Sequence, residues 1–296
     1  MLALILCSTP AFLQAAPHAA PEAKRPFETA KQKNKPAYAG LNSALWMRWS
    51  AEYRALSVQA YLLATSQLNA ALRTQKWTAA IEQTGKFDQL PPAVIFDIDE
   101  TLFDNSPYDA AMVKAGLDYD EATFMQWSES GKIRALPGAL EFAQYASRRG
   151  VTLFYVTNRG VQEKGVTIQN LHRLGFPIRS ADHLLLRGAK PKNSETVWSS
   201  DKTERRRFVA QSHRILLLLG DDFNDFLSVP AKASVQQRLQ LQGRYEKYWG
   251  NRWIILPNPH YGSWEKSIVR AARGEDAIRH KVEALADTLP TPQLTP

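Results

Sequence analysis

Ala93-Val-Ile-Phe-Asp97-Ile-Asp99-Glu-Thr101-Leu-Phe-Asp104-Asn105 carries more structural information than any other run in this 296-residue chain. Four apolar, partly β-branched residues behind Pro91-Pro92 predict a short buried strand, and it ends in two carboxylates at i and i+2. Burying such an acidic end without partners is costly. In open α/β sheets the carboxyl ends of the strands face the binding crevice, where acids can hold a metal and meet a substrate. In isolation, Asp-x-Asp could be no more than a strand end turning into a loop. A calcium-binding loop is excluded, because Leu102 stands where the sixth residue must be Gly and Tyr108 where the twelfth must be Glu.

At 44% hydrophobic residues the chain can bury a full core, as one large domain or two small ones. The formal charge of +8 and pI near 9.5 invite an anionic partner. The basic residues are scattered, with clusters at Lys24 to Lys35 and Lys202 to Arg207, so a solvated basic surface is expected rather than a nucleic-acid site. The same field gathers small phosphate-bearing molecules. Residues 1–16 form an apolar run too short to span a bilayer and closing on small residues, and are read as a secretory signal despite lacking Lys or Arg. No other stretch approaches a membrane span. Cys7, the only cysteine, lies inside that leader, so the mature chain is expected to hold no disulfide. Lipidation of Cys7 is disfavoured by the bulk of Leu6.

Residues 17–37, rich in Pro and Lys, are expected to form a flexible arm. Leu41 to Leu72 lacks Pro and Gly and repeats Leu41, Leu45, Trp49, Leu56, Ala60, Leu63 and Ala71 near helical spacing. It predicts one long amphipathic helix capped by Asn42 or Ser43. Residues 103–137 read as a small helical cap over the strand ends. Further strands are expected at Val151 to Val156, His183 to Leu186, Ile215 to Leu219 and Trp253 to Leu256, with helices at Leu140 to Arg148, at Val166 to Leu174 and after Lys202. Residues 271–296 read as a helix and a frayed tail. Alternating strands and helices predict an α/β fold: a doubly wound parallel sheet in a domain spanning 38–270, with the cap and an added N-terminal helix.

Asp97-x-Asp99-x-Thr, a lone Thr157, Lys202 and Gly-Asp221-Asp222-x-x-Asp225 stand in that order at successive strand ends. This constellation resembles the haloacid dehalogenase superfamily of phosphohydrolases, with its Rossmann-like, or HAD-like, sheet. More closely, Phe-Asp97-Ile-Asp-Glu-Thr-Leu-Phe-Asp-Asn-Ser-Pro-Tyr108, Tyr-Val-Thr157-Asn-Arg159, Gly-Asp221-Asp-Phe-Asn-Asp-Phe226 and Pro257-Asn-Pro-His-Tyr-Gly-Ser-Trp-Glu265 resemble the class C bacterial acid phosphatases. Those include exported and lipid-anchored 5'-nucleotidases. The likeness spans roughly residues 40 to 270, and it departs at Asp222, where those enzymes commonly carry Asn and where an added charge is expected beside the metal site.

The resemblance implies a hydrolase acting on small-molecule phosphomonoesters, with nucleoside 5'-monophosphates favoured. A phosphomonoester repels nucleophiles, so the catalyst must neutralise its oxygens, align a nucleophile and protonate the departing alkoxide. Asp97 is the implied nucleophile, passing through an aspartyl-phosphate, and Asp99 the general acid and then base. Asp97, Asp99 (through its backbone carbonyl), Asp221 and Asp225 are the implied surroundings of Mg²⁺. Thr157 and Lys202 are expected to grip the phosphoryl group. For the leaving group, Tyr261 is expected to sandwich a nucleobase with a cap aromatic, Trp127 ahead of Tyr108. Asn105, Asn158 and Arg159 complete the candidate substrate contacts. The expected location is periplasmic or secreted, with an outer-membrane lipoprotein less favoured.

Other classes fit less well. Gly160 to Gly165 is followed by Val-Thr rather than Lys-Ser/Thr, which argues against a phosphate-binding loop, and no Arg-His-Gly marks a histidine phosphatase. A phosphotransferase of the same superfamily differs only in the acceptor and stays open. A non-catalytic binding relative is expected to lose the nucleophile, and Asp97 is present.

Overall fold

The computed structural model describes residues 40–191, 196–270, 272 and 274–286. The leader and arm read in residues 1–37 and the end of the tail lie outside them. At the centre is β1 (Pro92–Phe96), whose Val94 and Phe96 enter one core cluster while Ala93 and Ile95 enter the other. Alternate residues of a strand point to opposite faces, so burial on both sides demands the continuous apolar run seen in the sequence. Pro92 is tolerated in a central strand because it is the first residue, where the missing N–H costs least.

In chain order the elements are α1 (Leu41–Trp49), α2 (Ala51–Arg73), β1, β2 (Phe103–Asp104), α3 (Ser106–Ala115), α4 (Glu121–Glu129), β3 (Arg134–Ala135) and α5 (Ala139–Arg148). They continue through β4 (Thr152–Gly160), α6 (Lys164–Leu174), β5 (Leu184–Arg187), α7 (Thr203–Ala210), β6 (Arg214–Gly220), α8 (Val235–Arg244), β7 (Trp253–Ile255), α9 (Ser263–Val269) and α10 (Gly274–Ala286). The main sheet is parallel with strand order β5-β4-β1-β6-β7. The chain builds outward from β1 through β4 to β5, then returns to add β6 and β7 on the far side. A ligand crevice opens where that progression reverses, at the carboxyl end of β1. The short antiparallel pair β2·β3 brackets α3 and α4, which form the cap.

The single long helix expected from Leu41 onward is instead two. Ser50 takes an extended conformation (φ −75°, ψ 141°) and its Oγ accepts from Tyr53 N at 3.0 Å, capping α2. A serine satisfies the free N–H groups of a new helix better than it continues an old one. The buried face also differs from the leucine stripe. Tyr53, Ser57, Tyr61, Ala64, Leu68 and Ala71 go inward, whereas Leu45, Trp49, Leu56 and Leu63 stay exposed. Two hydroxyls favour this face: Tyr61 Oη donates to the Thr101 carbonyl at 2.5 Å, fixing α2 to the loop after β1, and Ser57 Oγ to the Pro137 carbonyl ahead of α5 at 2.8 Å. Buried polar groups that find partners cost little, and their apolar bodies still fill the core.

The loop after β7 is tied to α1 and the cap by one histidine. Ser43 Oγ and His260 Nδ1 are 2.9 Å apart, and His260 Nε2 lies 4.0 Å from Asp109 Oδ1 on α3. Asp109 is buried and its Oδ2 has no partner. Burial, then Asp104 and Asp99, push its carboxyl up to about 8, while burial holds His260 below the usual imidazole range. An acid with a raised folded pKa holds a proton that the unfolded chain releases, so its contribution declines as pH climbs from the unfolded value towards 8. His260 works in the opposite sense, losing stability as pH falls. Asp109→Asn is therefore expected to flatten the loss of thermal stability between about pH 5 and about pH 8, measured as the difference in melting temperature from the parent at each pH. An identical slope in both proteins would refute the assignment.

Candidate active site

Two strand ends converge on one acidic cluster. Asp97 follows β1, and Asp221 and Asp225 follow β6, each offering a carboxylate oxygen within 4.8 Å of the others. The approach of Asp225 is possible because residue 220 is glycine: a Cβ there would sit 2.2 Å from Asp225 Oδ2. Asp225 ends a short 3₁₀ turn, Phe223–Asp225, rather than starting a long helix, and its Oδ2 accepts from Asp222 N at 3.0 Å. On the other side of β1, Glu100 adopts a left-handed φ of 53° in the turn that follows Asp99. A non-glycine residue there is strained, which is tolerated where the surroundings fix the turn.

Lys202 Nζ enters the cluster from the start of α7, bonding to Asp97 Oδ1 and, at 2.5 Å, to Asp225 Oδ1. Burial pulls this lysine down, but Asp225 and Asp97 overcome it and hold it above the ordinary range. Burial pushes Asp97 up against the opposing pull of Lys202. Desolvation, then Asp97 and Asp225, raise the partly buried Asp221 well above a normal carboxylate, and Asp225 is pushed up to about 7 by burial, partly offset by Lys202. One ammonium thus faces two buried carboxylates and a third that is partly buried, a donor set short of positive charge. All-oxygen ligands of this kind suit a hard divalent cation, so the residues fit Mg²⁺. Asn258 Nδ2, at 2.8 Å, and Thr101 Oγ1, at 3.3 Å, orient Asp221.

Asp99, expected among the metal surroundings, turns its carboxylate elsewhere. Arg159 contacts it through Nε, at 3.0 Å from Oδ2, and through an Nη at 2.6 Å from Oδ1, and Asn105 Nδ2 donates at 2.8 Å. A two-point guanidinium contact outweighs what the crowded acid cluster offers. Only the backbone of Asp99 is left to face a metal. Arg159 is itself buried, lying over the rings of Phe103 and Phe124. Thr157 is buried, and its Oγ1 accepts from Arg159 N at 3.1 Å, leaving the hydroxyl proton available to donate.

Several expected contacts have other occupations. Asn158 Oδ1 accepts from Arg205 at 2.7 Å. Trp127 Nε1 donates to Asn105 Oδ1 at 2.9 Å and its ring packs against the core. Tyr108 is buried with its hydroxyl on Thr123, 3.0 Å away. Tyr261 is 37% exposed and keeps an open face. Asp222 does not join the metal cluster. Its oxygens accept from Ser263 Oγ at 2.6 Å, Ser263 N at 2.5 Å and Asn224 N at 2.8 Å, pinning the loop after β7.

Sequence reasoning missed three residues. Arg205 and Arg206, read as part of a solvated basic run, are completely buried. Arg205 donates to the Thr157 carbonyl, and Arg206 pairs with Glu82 at 2.5 Å and donates to the Asp225 carbonyl at 3.0 Å, so together they brace two sides of the site. Their position one turn after Lys202 was the available signal. Phe124, edge-on to Tyr108, tilted against Tyr119 and under Arg159, is the cap aromatic that reaches the partner of Asp99.

A central parallel strand with an acid pair at its carboxyl end, a lysine from a later helix and a second acid pair define a haloacid-dehalogenase-type centre. The chain belongs to subfamily IIIB of that superfamily, the acid phosphatases, whose family model matches residues 8–264. The structure of the class C acid phosphatase from Bacillus anthracis is 31% identical with a TM-score of 0.72, covering 87% of this chain and 99% of that one. A tungstate-bound structure from the same organism matches equally. Acid phosphatase 1 of Solanum lycopersicum is 33% identical over 134 residues, 45% of this chain and 51% of that protein. The Stem 28 kDa glycoprotein of Glycine max is 23% identical over 133 residues, 45% and 52% respectively. The chain spans about half the length of these curated relatives. Among the described residues, no helix is long and apolar enough to cross a membrane.

Proposed function

We propose that this chain is an exported, Mg²⁺-dependent phosphomonoesterase that favours nucleoside 5'-monophosphates. The observation that carries the reading is the separation of the two β1 carboxylates: Asp97 in the metal-fitting cluster on Lys202, Asp99 held apart on Arg159 and Asn105. Two acids in different surroundings can take different roles. Asp97, Asp221 and Asp225, with the backbone of Asp99, would hold the ion, which when bound would neutralise the phosphoryl oxygens.

Asp97 attacks phosphorus, forming the aspartyl-phosphate as the bond to the leaving oxygen breaks, and Asp99 delivers the proton that oxygen needs. Asp99 then takes a proton from the water that attacks phosphorus and frees Asp97. Lys202 and the Thr157 hydroxyl hold the transferring group. Tungstate, named on the Bacillus anthracis relative, is an oxyanion that this same set would accept in place of phosphate. A nucleobase would stack on Tyr261, with Phe124 the better-placed cap partner now that Trp127 is engaged by Asn105. Export rests on residues 1–16 acting as a leader.

The test is phosphate release from 5'-AMP and p-nitrophenyl phosphate, with Mg²⁺ or with EDTA. Turnover of both that EDTA abolishes is the expected result, with the preference for acidic pH that the resemblance to acid phosphatases implies. A rate flat from about pH 4 to about pH 9 would argue against that preference. Turnover of the synthetic ester alone would discard the nucleotide preference, and turnover of neither would discard the phosphatase.

A further inference from the structure

Beside the acid cluster lies a cavity of about 440 Å³, within the range of small-molecule sites, that shares Asp221 and Asn258 with the cluster. Its other walls include Asp222, Phe223, Arg238, Pro257 and Trp264. The Arg238 guanidinium, half-buried on α8, lies 5.1 Å from the centre of the Phe223 ring, and Phe223 is stacked on Trp249 with centroids 5.4 Å apart and planes 18° from parallel. Among the described residues no carboxylate forms an ion pair with Arg238. Asp222 is the acid whose field reaches it, but the oxygens of Asp222 are taken by Ser263 and Asn224. A half-buried guanidinium over a ring, with no carboxylate ion-paired to it among the described residues, keeps donors free for an anion.

We infer that this cavity receives a second anionic group carried by the leaving part of the substrate, read by Arg238, so that phosphomonoesters whose alcohol bears its own phosphate are preferred over those whose alcohol is uncharged. The inference rests on the phosphatase reading above and adds to it a substrate class. The shared wall at Asp221 makes the geometry specific: one phosphate at the acid cluster leaves the rest of the molecule beside the cavity, where apolar surface from Trp264 and Pro257 meets one fixed positive charge. Arginine suits that task because its planar fork can engage two phosphate oxygens at once.

The test measures binding apart from turnover. Asp97→Asn protein, with Mg²⁺, is titrated calorimetrically with adenosine 3',5'-bisphosphate and with 5'-AMP, in the Arg238 background and after Arg238→Met or Arg238→Lys. Methionine keeps an apolar stem over Phe223, lysine keeps the charge, and circular dichroism checks that each variant is folded. The expected result is bisphosphate binding about ten-fold tighter than 5'-AMP, a preference lost in Arg238→Met and partly kept in Arg238→Lys. Equal affinities in the Arg238 background, or a preference untouched by Arg238→Met, would overturn the inference. Parent protein is assayed alongside on p-nitrophenyl phosphate. Turnover without an Arg238-dependent preference sinks the cavity assignment and leaves the phosphatase, whereas the preference without turnover leaves an anion site and sinks the phosphatase.

Discussion

Asp97→Asn is expected to lower phosphate release from p-nitrophenyl phosphate by at least about 10⁴-fold while leaving the fold intact. The substitution keeps the shape of the side chain and an oxygen able to accept from Lys202, so the contact bridging to Asp225 can persist. What it removes is the proposed oxygen nucleophile and one of the cluster's three carboxylates. Burial already pushes Asp97 above the ordinary carboxylate range, so its ionised form is held at a cost that a neutral amide avoids. The melting temperature in EDTA should consequently stay level or rise, and the stabilisation conferred by Mg²⁺ should shrink, because the donor set has lost a charge. Loss of activity with a retained melting temperature separates a chemical role from a structural one. A variant keeping more than about one part in a hundred of the parental rate would remove Asp97 from the nucleophile's place.

Those parts of the fold governed by strict periodicity were legible in the sequence. The apolar runs behind Asp97, Thr157 and Asp221 became neighbouring central strands because parallel strands buried on both faces admit few alternatives. Gly175 ended its helix where a left-handed residue was needed, at φ 85°. The N-terminal region was less legible. There, spacing favoured the leucines, whereas burial was decided by where tyrosine and serine hydroxyls could find carbonyl partners across the molecule. Such partners have no signature along the chain.

The candidate site divides in the same manner. Residue types announced the acids, the lysine and the threonine, because few other uses exist for that set at strand ends. Orientation did not show. The Asp99 carboxylate is turned from the cluster by Arg159, and Trp127 is engaged by Asn105, through contacts spanning 60 and 22 residues. Arg205 and Arg206 were hidden by their own chemistry, since a basic run reads as surface until its carbonyl and carboxylate partners are seen. Asp222 shows the reverse error: its charge, expected at the metal, is spent on three donors that anchor the loop carrying Tyr261.

Lys202→Met is expected to have the second large effect, on stability as well as rate. Methionine matches the length of lysine without the charge, so Asp97, Asp221 and Asp225 would face one another with no ammonium between them. Removing one partner from a buried ion pair costs about 3–5 kcal/mol. For a domain of this size that corresponds to a fall in melting temperature on the order of 10 °C. The loss should depend on pH in a defined sense. Asp225 is already pushed up to about 7 with Lys202 in place, and Asp221 lies well above its normal value. Without the lysine, Asp97 and Asp225, the two carboxyls it pulls down, hold their protons to higher pH still. A carboxyl whose folded pKa exceeds its unfolded value binds more protons when folded, so stability declines as pH rises between the two. The variant should therefore lie nearest the parent at about pH 5 and furthest from it near pH 8. Mg²⁺ should recover more stability in the variant than in the parent, because it supplies charge where the ammonium is missing. Turnover should still fall by about 10²–10³-fold, since the metal would not replace the contact to the phosphoryl oxygens proposed for Lys202. Melting curves with Mg²⁺ and with EDTA at the two pH values decide the matter. A Lys202→Met protein as stable as the parent at both would mean that the three carboxylates are not charge-starved, and the argument for a divalent ion among them would lose its physical basis.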